Sequence, residues 1–308
     1  MIPRPLRIKI RRHYPGVVNG LNTFIKKSTH FLPDSIELLT GKRDPLTPPQ
    51  WMNFVGTGDF KEIGGEFFHY FLELARLKPG EKILEVGCGI GRMAVPLMDY
   101  LRDGGSYEGF DIVAHGIRWC QKKIARRAPR FHFQLADIYN YGYNPTGKTK
   151  AAQYRFPYED QSFDFVFLTS VFTHMLPRDL EHYLSEINRV LKKGGRCFIT
   201  FFLLNKESLR LINTGASAID FKHEMEGADG FPKTRVKDPE VPEAAVAYSE
   251  YYIKELYEKN NMEISEPIRY GSWCGRKEFL SFQDIVLAVS HNASFARRRQ
   301  KCFNGNKQ

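Results

Sequence analysis

The stretch that decides the fold is Ile83-Leu84-Glu85-Val86-Gly87-Cys88-Gly89-Ile90-Gly91-Arg92. It reads as a short apolar strand over 82–86, a glycine-rich turn over 87–91, and a helix from Met93 to Leu101. Glycines at 87, 89 and 91 let the backbone turn tightly and approach a ligand without interference from Cβ. In an open α/β sheet a ligand sits beyond the carboxyl ends of the strands, where a strand turns into its helix. The spacing is G-x-G-x-G, which differs from the G-x-G-x-x-G of a dinucleotide pyrophosphate site. Glu85, just inside the strand, places a carboxylate where a cationic ammonium suits it better than a diphosphate does.

Outward from this turn the chain alternates helical and strand patterns. Phe60, Ile63, Phe67, Phe71 and Leu74 recur at helical spacing before Pro79-Gly80. Ser106 to Asp111 reads as a second strand, 114–127 as a helix and Phe131 to Ala136 as a third strand. A polar, tyrosine-rich loop spans 138–162, and Phe163 to Thr169 makes a fourth strand. Leu180, Tyr183, Leu184, Ile187 and Leu191 share one helical face, with Gly194-Gly195 ending the helix and Arg196 to Leu203 forming a fifth strand. Tyr248 to Lys259 is helical again, and Met262 to Arg269 and Ser281 to Val289 are close enough to pair antiparallel. Strands that are continuous apolar runs are covered by helices on both faces. The alternation predicts an α/β fold with a doubly wound, mostly parallel sheet.

Two further acids fall at strand ends. Asp111 closes the second strand 20 residues after Gly91, where a carboxylate can accept hydrogen bonds from both hydroxyls of a ribose. Asp137, in Ala136-Asp137-Ile138, closes the third and offers an acceptor for an adenine amine beside an apolar wall.

On these residues the chain resembles the class I S-adenosylmethionine-dependent methyltransferases, over about residues 54 to 289. Glu85 to Gly91 matches the family's glycine-rich motif, Asp111 its ribose-binding acid and Asp137 the acid beside adenine. Phe156 to Asp164 is similar to the family's lead into the fourth strand, and Leu191-Lys192-Lys193-Gly194-Gly195 to its turn before the fifth. The resemblance implies a seven-stranded Rossmann-like sheet with a reversed last strand, and S-adenosylmethionine as cofactor. It implies cofactor contacts from Glu85, Gly87, Cys88, Gly89, Gly91, Asp111, Ile112, Asp137, Ile138 and Thr169, with Ile112 and Ile138 packing on the adenine. Phe54 to Phe60 and Ser170 to Pro177 resemble a bacterial subgroup acting on small molecules or glycans.

Methyl transfer is an in-line displacement, so positioning does much of the work. A hydroxyl acceptor also needs a base. His174, just past the fourth strand, is the candidate, since an imidazole with an ordinary pKa of about 6.5 suits proton removal near neutrality. The fourth strand ends Thr169-Ser170-Val171-Phe172, not in the Asn/Asp-Pro-Pro-aromatic run of the amino-methylating nucleic-acid enzymes. No cysteine follows a proline, and no acidic cluster resembles a magnesium site. These absences disfavour DNA methylation and a metal without excluding RNA. The subgroup resemblance implies an acceptor that is a small molecule or glycan, expected to be taken at oxygen. The alternatives are an RNA methyltransferase gripping phosphates with basic tails, and a non-catalytic cofactor-binding protein.

The basic tails stand apart from this body. Lysines and arginines number 45 against 35 acids. Five of the excess ten lie in residues 1–13 and five in residues 297–308, stretches with no acid, so residues 14–296 are formally neutral. Basic ends can touch nucleic acid or an anionic membrane face. The five scattered cysteines form no C-x-x-C pair, which fits a reducing, cytoplasmic setting. No apolar run approaches the ~20 residues that cross a bilayer. The expected organisation is a proline-rich arm over 1–50, one domain over 51–290 and a tail over 291–308. Within the domain, residues 204–246 show no sustained period and read as a lid over the carboxyl edge of the sheet.

Overall fold

A computed structural model describes residues 43–56, 58–225 and 234–291. Most of the N-terminal arm, Thr57, residues 226–233 in the insert, and nearly all of the C-terminal tail lie outside the described residues.

The first helix, α1 (Phe60–Glu73), begins where Asp59 accepts the Lys61 and Glu62 N–H groups, each at 2.8 Å. That cap satisfies donors the first turn leaves without helical partners. Strand β1 (Lys82–Val86) follows, then a short helix α2 (Ala94–Leu97) and β2 (Ser106–Asp111). Helix α3 (Ala114–Cys120), extended by a wider turn over Gln121–Ala125, leads to β3 (Phe131–Leu135). Beyond the tyrosine-rich loop come β4 (Phe163–Leu168), α4 (Pro177–Val190) and β5 (Leu191–Phe201). The chain then forms β6 (Leu203–Leu204), α5 (Lys206–Asn213), β7 (His223–Met225), β8 (Thr234–Val236) and β9 (Val246–Ser249). It finishes with α6 (Glu250–Lys259), β10 (Met262–Ile264) and β11 (Asp284–Ser290).

Seven strands form one sheet in the order β10-β11-β5-β4-β1-β2-β3. β1 runs parallel to β2 and β4, β2 to β3 and β4 to β5, whereas β11 is antiparallel to both β5 and β10. This is the doubly wound, seven-stranded, mostly parallel sheet with a reversed last strand that the sequence predicts. Successive residues of each strand feed opposite faces. Leu84, Val166, Leu168 and Ile199 pack with α4 and α6 on one side. Ile83, Phe165, Phe167 and Phe198 pack with α1 and α3 on the other.

Two elements differ from the sequence reading. The helix expected over Met93 to Leu101 is regular only from Ala94 to Leu97. Pro96 brings no N–H to that helix, and the chain continues through i→i+3 bonds from Met98 N to Val95 O and Tyr100 N to Leu97 O. The fifth strand starts at Leu191 rather than Arg196, directly where α4 ends. Gly194 turns within it at φ +78°, and the β4–β5 register shifts between Phe163 and Phe165.

The described residues of the insert form regular elements. Asn205 and Ser208 cap α5 reciprocally, with Ser208 N to Asn205 Oδ1 at 3.0 Å and Asn205 N to Ser208 Oγ at 2.8 Å. β7 and β8 join β9 and β6 in a second, four-stranded sheet. These strands are two to four residues long, too short to print a period on the sequence. Asp284 at the start of β11 ties the two sheets together. Fully buried, it accepts Leu203 N, Gly271 N and Trp273 Nε1, each at 2.7 Å, and faces Arg276 at 3.2 Å. Among the described residues no helix is long and apolar enough to cross a membrane.

Candidate active site

A cavity of about 550 Å3 opens at the carboxyl ends of β1, β2 and β4. Its floor is the glycine turn. Gly87 N and Cys88 N donate to Phe110 O at 2.9 and 3.0 Å, and Gly89 N donates to Asp111 Oδ2 at 2.7 Å. The other Asp111 oxygen accepts Val113 N at 2.8 Å. The tip of β2 thus fixes the turn after β1. Burial pushes the Asp111 carboxyl up to about 6, against the opposing pull of these backbone donors.

Glu85, Gly87, Cys88 and Gly89 line the cavity, with Asp111 and Ile112 beside them. Ile138, Thr169 and His174 line it from the strands that follow. The glycines take positive φ, +79° at Gly87 and +57° at Gly89. A Cβ at Gly87 would stand 2.4 Å from Val171 Cγ2, and one at Gly89 would stand 2.5 Å from Val55 Cγ1. Both valines are cavity-wall residues, so the bare backbone lets the two walls close on the turn.

Two of the expected contacts lie elsewhere. Gly91 is not on the cavity surface. Its missing Cβ makes room for Ile124 Cδ1 at 2.4 Å, so it serves the packing of α3's extension under the turn. Asp137 is not brought into the cavity either. Ala136 and Ile138 are buried, each 2% exposed, and Asp137 between them is exposed. The Asp137 carboxylate instead accepts Lys148 N at 3.3 Å. Asn140, three residues on, reaches the wall in its place, its Oδ1 accepting Gly142 and Tyr143 N–H groups.

Glu85 is almost fully buried and accepts a short hydrogen bond from the Tyr107 hydroxyl. Burial raises its carboxyl to about 8, Tyr107 opposing and Asp111 reinforcing the shift. An adjacent cation would reverse that shift by favouring the charged form.

His174 sits on a short 3-10 turn, Phe172–His174, past β4. Its Nδ1 lies 3.0 Å from Glu243 O, in the insert. A carbonyl only accepts, so Nδ1 carries the proton and Nε2 keeps a free lone pair. Burial lowers the His174 pKa below its ordinary value, opposed by the backbone carbonyls of the insert. Tyr143 meets the ring edge-on, with centroids 5.7 Å apart. The cavity is also lined by Phe202, between β5 and β6, by Ile219 and Lys237 of the insert, and by Phe282 of the loop before β11.

The sequence also passed over residues that the structure brings in. Ser170 holds φ +59° at the tip of β4, with its N–H on Thr200 Oγ1 at 2.8 Å and its Oγ on Gln283 Oε1 at 3.0 Å. A non-glycine residue in that conformation is uncommon and clusters at functional sites. Arg92, the last residue of the deciding stretch, lines the cavity while only 8% exposed. Of the polar insert residues, His223 lies outside the cavity, and Glu224 pairs with Arg235 at 3.0 Å.

A glycine turn locked to a β2-tip acid, under a sheet of this strand order, defines a Rossmann-like class I methyltransferase fold. The family model described as a methyltransferase domain matches residues 84–199, from within β1 to within β5. Phosphoethanolamine N-methyltransferase 2 of Caenorhabditis elegans is 30% identical over 156 residues, covering 50% of this chain and 31% of that protein. Methyltransferase GfsG of Streptomyces halstedii is 24% identical over 176 residues, covering 56% of each. The chain therefore matches only about a third to a half of the length of these relatives. The solved structure of the PH0226 protein from Pyrococcus horikoshii OT3 shares the fold, with a TM-score of 0.51, 16% identity and coverage of 78% of this chain and 95% of that one.

Proposed function

We propose that the protein transfers the methyl group of S-adenosylmethionine to a hydroxyl oxygen of a small molecule or glycan. The observation that carries this is the shared cavity of Asp111, the Gly87–Gly89 turn and the His174 imidazole. The donor set fits the cofactor. Asp111 keeps acceptor capacity for ribose hydroxyls, Ile112 and Ile138 supply apolar wall for an adenine, and Glu85 offers a carboxylate to an ammonium. When bound, the cofactor supplies an electrophilic methyl carbon on a sulfonium. The protein's own part is to hold the acceptor oxygen in line with that carbon and take its proton. His174 is neutral near pH 7 with Nε2 open as an acceptor, which is the state a general base needs. Phe202, Ile219 and Phe282 give the acceptor an apolar wall, and Lys237 a cationic edge. The first relative named above is a phosphoethanolamine N-methyltransferase, which supports a small-molecule acceptor and not the choice of oxygen.

The test has two arms. Calorimetry with S-adenosylhomocysteine is expected to show one site per chain. Release of S-adenosylhomocysteine from the methyl donor is then followed across a panel of hydroxylated small molecules and oligosaccharides. Absence of nucleoside binding overturns the reading. Turnover confined to amines or RNA overturns the oxygen and small-molecule parts of it.

A further inference from the structure

Arg92 is a buried cation with no direct ion pair among the described residues. Only 8% of it is exposed, and its Nε is buried with no hydrogen-bond partner. Its Nη2 reaches Gly56 O at 3.5 Å, the outer limit of a hydrogen bond, and its guanidinium lies 5.9 Å from the Phe60 ring centroid. No carboxylate pairs with it among the described residues. Asp59 acts on its charge from a distance without an ion pair, and its Oδ1 caps α1 by accepting Lys61 N and Glu62 N. An ion left in low dielectric without a partner is costly, and proteins normally pair such groups or direct them at a ligand. Arg92 also lines the cavity, one residue past the turn that Glu85 precedes.

A planar cation on one side of the turn and a carboxyl group on the other match a zwitterion. We propose that Arg92 is the anion anchor of the cavity and holds the α-carboxylate of the cofactor's methionine end, while Glu85 faces its ammonium. The guanidinium suits this task because its fixed fork of N–H donors matches carboxylate geometry. The contact to Gly56 O lets the same side chain draw the Phe54–Gly56 segment over the bound amino-acid end, since Phe54, Val55 and Gly56 all line the cavity. This inference rests on the cofactor reading above and adds to it the residue that selects an intact amino acid over a bare nucleoside.

Calorimetry tests it with two ligands that differ only in the carboxylate, S-adenosylmethionine and its decarboxylated form. The wild-type chain is expected to bind the intact cofactor about 10- to 100-fold more tightly, the range for a hydrogen bond to a charged group. In Arg92→Gln that preference is expected to fall to within about threefold, through weaker binding of the intact cofactor alone. Arg92→Lys keeps the charge without the fork and is expected to fall between the two. If wild-type binds both ligands equally, the proposal fails without any variant. If Arg92→Gln weakens both ligands alike, Arg92 only braces the Phe54–Gly56 segment and the proposal again fails. If wild-type binds neither ligand, the cofactor reading fails first, a separate and visible outcome.

Discussion

Asp111 Oδ2 accepts the Gly89 N–H at 2.7 Å, so the acid at the tip of β2 and the bare turn after β1 are one unit. The tip of β2 and the turn after β1 therefore form one continuous wall of the cavity. Asp111→Asn keeps the shape but sets an amide NH2 against either the Gly89 or the Val113 N–H. The expected result is a loss of about 1.5–3 kcal/mol in S-adenosylhomocysteine binding, about 10- to 150-fold, with a lower melting temperature. Calorimetry and thermal denaturation check both, and unchanged affinity would remove Asp111 from the site.

The two buried acids give the ligand-free chain an unusual pH dependence. Glu85 is raised to about 8 from an ordinary 4.5, and Asp111 to about 6 from 3.8. Between each pair of values the folded chain binds more protons than the unfolded one, so stability falls as pH rises. The contribution is full below pH 4 and is lost by about pH 6 for Asp111 and about pH 8 for Glu85. Thermal unfolding at fixed ionic strength is expected to show that decline from pH 5 to pH 8.5. Glu85→Gln is expected to flatten the part above pH 6. A slope that survives in the variant contradicts the assignment to Glu85.

His174 carries the opposite shift. Burial lowers its pKa below 6.5, so the imidazole becomes a competent base below neutrality. Turnover of a hydroxyl acceptor is expected to rise with pH and level off at a lower pH than an ordinary imidazole would give. His174→Gln is expected to lower kcat by about 10²–10⁴-fold and abolish that rise, leaving S-adenosylhomocysteine affinity within about threefold. Steady-state kinetics across pH separates this from a packing role, which would change affinity or stability and leave the profile intact.

Which of these residues the sequence disclosed follows from how far their partners lie along the chain. The β1 turn, Asp111 at the end of β2 and the succession of strands and helices along the chain were legible because each is written in one short window with its own period or spacing. Asp137 stands at a strand end in its window, which does not reveal that the structure exposes it between the buried Ala136 and Ile138 and off the cavity lining. Arg92 stood in the quoted stretch, yet its burial depends on Gly56 and Phe60, brought across from the segment before and within α1. The tautomer of His174 depends on Glu243, 69 residues away in an insert whose strands are too short to announce themselves.

The fit between Gly87 and Val171 offers a test of the floor that needs no acceptor. Gly87 has φ +79°, and a Cβ there would meet Val171 Cγ2 at 2.4 Å. Gly87→Ala thus carries two penalties, a left-handed conformation costing about 1–2 kcal/mol and a collision with the opposite wall. Val171→Ala removes the methyl that collides but cannot alter φ. In a double-mutant cycle by chemical denaturation, the pair is expected to be less destabilised than the sum of the single changes, with a residual of about 1–2 kcal/mol. Strict additivity would mean that the turn shifts away from Val171 at no cost, and that the two walls of the cavity are not held in contact by the missing side chain.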